Sequence, residues 1–200
     1  MASVITGIIP KQGFELCRDA IGAILLTELT AQKSRQGNTD FPEDVIVLSE
    51  SLPPADATDF MTMNVMLESA TYSQITQADA QGKTMYLVDF YSSGSSSTDS
   101  SYRLQKFVGM VGYIFRSAQY RMLGFAPGLI GGTYVEKFII GQATQSNKED
   151  SSFTSYGQLQ LAVRIQEGAQ AWTGVPLNDA LSSVSLGLTD KGYQYVFTNS

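Results

Sequence analysis

Asp89 interrupts an otherwise apolar run, KTMYLVDFY (Lys83–Tyr91), and a carboxylate set among apolar neighbours is the sort of group that can act as an acid or a base. A second carboxylate at a suitable distance would complete an acid–base pair. The plainer reading of Asp89 is a polar residue near a strand end or facing a subunit interface. Cys17 is the only thiol in the chain. It falls in step with Phe14, Ile21, Ile24 and Leu25, which makes it a small core residue rather than a nucleophile. GLIGGTY (Gly128–Tyr134) has the glycine content of a phosphate loop but no lysine. It also joins a helix to a strand, the reverse of the order a phosphate loop needs, so it reads as a turn.

What is missing narrows the chemistry further. There is no histidine, which removes the usual base near neutral pH, the imidazole metal ligand and the common Ser/His and Cys/His pairs. No serine stands three residues before a lysine, and there is no Cys-x-x-Cys, His-Glu-x-x-His or calcium-loop spacing. The aromatic residues are scattered along strands rather than interleaved with basic ones, so a base-stacking platform is not indicated. The expectation is a protein that is not an enzyme, with no catalytic residues, no cofactor and no metal. The competing reading, a small carboxylate- or tyrosine-based enzyme, would need a deep pocket lined by perturbed acids.

Composition bounds the partners. At 200 residues, 43% hydrophobic and 16% charged, the chain can build one domain that buries roughly 70% of its unfolded surface without disulfides. The formal net charge of −6 argues against broad binding to a phosphate backbone. A lone cysteine fits a reducing compartment, and the N-terminal MASVITGIIPKQGFELCRD lacks the basic and apolar regions of a secretory signal.

The elements that must position these residues follow from periodicity. LQKFVGMVGYIFRSAQYRML (Leu104–Leu123) places Leu104, Phe107, Val108, Val111, Ile114, Phe115, Ala118 and Met122 at steps of three and four, the stripe of a core helix. Lys106, Arg116, Gln119 and Arg121 fill its other side and exclude a membrane span. Asp99, Ser100 or Ser101 can cap it, Gly124 can end it, and Gly109 and Gly112 leave room for a close backbone. A first helix is expected over residues 10–31, followed by a polar loop, TAQKSRQGNTDFPED. Strands are expected at VIVLSE (Val45–Glu50), DFMTMNVMLES with its methionines as core filler, KTMYLVDFY, TYVEKFIIGQ (Thr133–Gln142), GQLQLAVRIQE (Gly157–Glu167) and KGYQYVFT. SSGSSSTDSS and ATQSNKEDSSFTSY read as loops, mobile and hairpin respectively. The order predicts an α+β fold: a mostly antiparallel sheet with two long helices packed on one face. A single domain over 1–168 is expected, with 169–200 as a C-terminal extension or terminal strand.

In order, length and apolar pattern, Ile9 to Gln166 resembles the tail terminator proteins of long-tailed bacteriophages, and more broadly their neck and tail-completion proteins. The stretches that carry the resemblance are IIPKQGFELCRDAIGAILLTEL, DVIVLSE, FMTMNVML, MYLVDFY, RLQKFVGMVGYIFRSAQYRML and the closing YVEKFIIGQ/QLQLAVRIQE. The resemblance implies a structural virion protein, in the host cytoplasm during assembly, that forms a hexameric ring on the tail tube, ends its growth and meets the head connector. Another neck or head-completion protein, or a tube subunit, is the alternative, although tube subunits are dominated by strands. The implied partners are copies of itself, the tail tube and the neck or connector proteins, with no membrane. Genome DNA would pass through the lumen unbound, and net negative charge would keep phosphates from sticking. Asp89, Tyr134, Glu136, Phe153 and Tyr156 are the subunit-interface candidates.

Overall fold

Two strands of sixteen residues pair along their whole length, and the rest of the fold is arranged about that pair. The computed structural model describes residues 8, 11–37, 46–48, 61–74, 79–126, 128–141, 144–145, 153–168, 179–185 and 192–198. In chain order the elements are α1 (Gly13–Gln36), β1 (Ile46–Leu48), β2 (Met61–Gln74), β3 (Asp79–Gly94), α2 (Ser97–Arg116), β4 (Ile130–Ile140), β5 (Thr144–Gln145), β6 (Phe153–Gly168), β7 (Asp179–Ser185) and β8 (Gly192–Thr198). A short 3-10 turn, Ala118–Tyr120, follows α2.

β1 to β6 form one sheet in the order β1-β2-β3-β6-β4, with β5 also on β6. The β2–β3, β3–β6 and β6–β4 pairs are antiparallel, and β1 joins β2 in parallel. Apolar alternation sets the register: Val65 opposes Val88, Val88 opposes Leu159, and Tyr86 opposes Leu161. All of these side chains are buried. A slip by one residue would bring Gln158, Gln160 and Arg164 of β6 to the buried side.

α2 begins where Ser96 accepts a hydrogen bond from the Asp99 backbone N–H at 3.1 Å. Arg103 then ties the first turn to the sheet, donating to the Ser93 carbonyl at 2.8 Å and to Asp99. Leu104, Phe107, Val108, Val111, Ile114 and Phe115 are buried along one stripe, each stabilising the fold by about 1.5–3 kcal/mol relative to exposure. Two glycines allow the approach. A Cβ on Gly157 would lie 3.2 Å from Leu104 Cδ1, and one on Gly94 would lie 2.8 Å from the Ser100 backbone nitrogen. α1 buries Cys17, Ile21, Leu25 and Leu29 and is pinned where the Tyr86 hydroxyl donates to the Phe14 carbonyl at 2.7 Å.

The α+β class holds, but two long helices packed together on one face of an antiparallel sheet are not what the structure supports. α2 lies against β6, β3 and β4, whereas α1 meets β2, β1 and β6, so the two helices share only β6. Parts of the sheet are left uncovered: Leu67–Ser73 of β2 and Glu136–Ile140 of β4 are exposed. Helical periodicity identifies a buried stripe without saying which strand it meets, and this is where the expectation went astray.

Boundaries differ too. α1 continues to Gln36, where Gly37 at φ 69° stops it, so the expected polar loop is helical for its first third or more. The serine-rich segment is no loop: it finishes β3 at Gly94 and opens α2 at Ser97. β2 is buried on both sides over Met61–Val65, so Thr62 and Asn64 are enclosed along with the methionines. β6 starts at Phe153, inside the expected hairpin loop, while residues 146–152 of that loop fall outside the described residues. No backbone approaches Gly109 or Gly112: a Cβ on Gly109 would meet nothing within 4 Å, and one on Gly112 only Leu159 Cδ1 at 3.9 Å.

By contact the chain divides into two compact units, residues 1–169 and 170–200. In the second, β7 pairs with β8 in antiparallel register, Asp179 opposite Thr198 and Ser185 opposite Gly192.

Candidate functional site

Strand register brings Asp89 and Tyr156 together. Asp89 stands on β3 between Asn64 of β2 and Gln158 of β6. Its carboxylate is 4% exposed and accepts hydrogen bonds from the Tyr156 hydroxyl at 2.9 Å and Gln158 Nε2 at 2.8 Å. Gln158 Nε2 also donates to Tyr156 Oη at 2.9 Å, and the Tyr156 ring lies 5.2 Å from that of Tyr91 at a tilt of 41°. Burial first, and then the Asp89 carboxylate, pushes the Tyr156 phenol far above the usual range. Tyr156 is therefore held as a proton donor across the neutral range. The arrangement satisfies a buried carboxylate with neutral donors. Nearby, Asn64 Oδ1 is buried without a hydrogen-bond partner.

The other candidates are not part of this cluster. Tyr134 and Glu136 lie on β4, both exposed. The Arg164 guanidinium carbon stands 5.6 Å from the Tyr134 ring centre, a cation–π contact, and Glu136 forms an ion pair with Lys83. Phe153 starts β6 opposite Gly94 and is half-buried. The structure thus distributes the five residues over three places along β6 and its neighbours.

The most conspicuous surface was not among the sequence-based candidates. β4 is last in the sheet order, so one of its edges has no strand partner among the described residues. Its outer end carries Phe138, Ile139 and Ile140 at 53%, 39% and 38% exposure. Between it and α2 runs a groove of about 280 Å³ lined by Val108, Gly109, Gly112, Val135, Phe138 and Ile140, with Arg116 also on its wall. The groove exists because Gly109 presents no side chain to it. The signal was present in the sequence: FII breaks the alternation of β4, and two glycines fall inside a helical stripe.

Among the described residues no three His, Cys, Asp or Glu side chains are grouped to hold a metal ion, and no helix is long and apolar enough to cross a membrane.

No protein-family model matches the chain, and no curated protein matches it. Among solved structures it is similar to a chain described as "Virion of native gene transfer agent (GTA) particle", at 14% identity and a TM-score of 0.42, over 76% of this chain and 94% of that one.

Proposed function

We propose that the protein is a structural subunit of a phage-like particle that works by shape and self-association rather than by turnover. The observation that carries the self-association is the β4 edge: a strand of eleven residues, with no strand partner on one side among the described residues, ending in three exposed apolar residues. Soluble chains blunt such edges with charge, proline or a cover, because an open ladder recruits other strands. Here Glu136, Lys137 and two register shifts interrupt the strand, but its last three residues are left apolar beside a groove, as an interface would be. The particular place in the particle, a tail-terminator ring that ends tube growth and faces the neck, is drawn from the resemblance in the order of helices and strands.

In this reading the protein has no catalytic centre, the Asp89 cluster stabilises the sheet, and residues 1–168 are the ring-forming domain with 169–200 as an extension. The ring is a hexamer, and its bore carries DNA past an acidic protein without binding it. Size-exclusion chromatography with light scattering on the full chain tests the first step, with a discrete ring-sized mass expected. A strict monomer at every concentration would refute self-association. A particle reconstruction tests the second, and a predominantly basic bore would contradict the proposed passage of DNA.

A further inference from the structure

We propose that the β4 edge and the adjoining α2 groove receive the C-terminal hairpin, β7–β8, of a second copy of this chain, which adds to the sheet as extra strands. The proposal rests on the self-association reading and names the element that performs it. Two elements of the chain motivate it. The first is the edge itself, whose exposed stretch, Tyr134 to Ile140 with only Val135 half-buried, spans seven residues. The second is a hairpin of two seven-residue strands, paired with each other in the described residues. An isolated two-stranded hairpin is at best marginally stable in water and needs further strands or a packed layer.

The sizes agree: seven residues of strand extend about 23 Å, the length of the exposed part of β4. Composition agrees as well. β8 is GYQYVFT, rich in aromatic and β-branched residues, the types that add well to a sheet. The groove supplies an apolar floor for side chains from an added strand, with Gly109 leaving the space open. A second copy is the occupant that self-association requires. Edge and hairpin are different elements, so the contact between copies is head-to-tail, and a repeated head-to-tail contact closes a ring where its rotation permits.

The test uses two differently tagged preparations of the full chain, one carrying Ile139→Cys and the other a single cysteine moved through Gly192–Thr198. The native Cys17 is fully buried and does not interfere. After mixing and mild oxidation, disulfides between the two tags are expected at alternate hairpin positions, the period of a paired strand. Gly109→Leu, which fills the groove from an open position, should reduce that cross-linking at least about tenfold while circular dichroism stays unchanged. An oligomer that forms without any such cross-link would overturn the hairpin assignment and leave self-association standing. A cross-link found only when both cysteines share one chain would overturn it too, by making the hairpin a cover for its own sheet. A chain that stays monomeric would defeat the underlying reading and this inference with it.

Discussion

β6 and β4 are neighbours in one sheet, yet they are finished to different standards. β6 has a strand on each side along most of its length, and Leu159, Leu161, Val163 and Ile165 are buried. Among the described residues β4 shares its ladder with β6 alone; it is offset by two register shifts and ends with its largest apolar residues exposed. The same chemistry, aliphatic and aromatic side chains on a pleated strand, is spent on folding in one case and left available in the other. Substitutions on β6 and its cover should therefore act on stability, and substitutions on outer β4 on association.

The largest expected effect is on the β6 side. Leu161→Ala or Phe107→Ala should lower stability by about 3–5 kcal/mol, read as a drop in the urea midpoint. On the β4 side, Phe138→Ser and Ile139→Lys should change stability by no more than about 0.5 kcal/mol while greatly weakening self-association. If the β4 substitutions unfolded the protein, or left association intact, the contrast would collapse.

A smaller effect is expected at Asp89. Asp89→Ala leaves the Tyr156 hydroxyl and Gln158 Nε2 without their buried acceptor and should cost about 1–3 kcal/mol. Asp89→Asn, which keeps an acceptor, should cost less. Equal losses for both would point to the charge rather than the hydrogen bonds.

The Tyr156 phenol adds a pH dependence. Its folded pKa is raised, so the proton is held more tightly in the folded state than in the unfolded one. The stability this contributes is fully present below the ordinary phenol pKa of about 10 and is lost as pH rises above it. Alkaline denaturation of Tyr156→Phe should accordingly show a shallower fall above that point than the wild type. An identical slope would contradict the assignment.

The smallest effect sharpens the groove. Gly109 sits inside α2 facing open space, so Gly109→Ala should raise stability by about 0.5–1 kcal/mol through helix propensity alone. A loss of stability would mean that the groove is filled in the free protein.

How far the sequence reached can be judged at particular residues. The stripe from Leu104 to Phe115 and the alternation of Leu159, Leu161 and Val163 both showed plainly, because helix and strand periods differ and each marks a buried side. The start of α2 did not. SSGSSSTDSS has the composition of a loop, and only the fold shows Ser96 capping and Gly94 making room for it. Strand order was also illegible, since alternation does not say which strand is last. Without that order β4 could not be recognised as an edge, nor Phe138–Ile140 as uncovered. Asp89 and Tyr156 were singled out separately, and their pairing needed the β3–β6 register.

The central claim is that outer β4 joins copies of the chain. It is tested most directly by the solution mass of the full-length protein, by light scattering, beside that of Ile139→Lys at the same concentration. A discrete oligomer is expected for the first and a folded monomer for the second. A wild-type monomer, or an oligomer of unchanged mass in the variant, would contradict it.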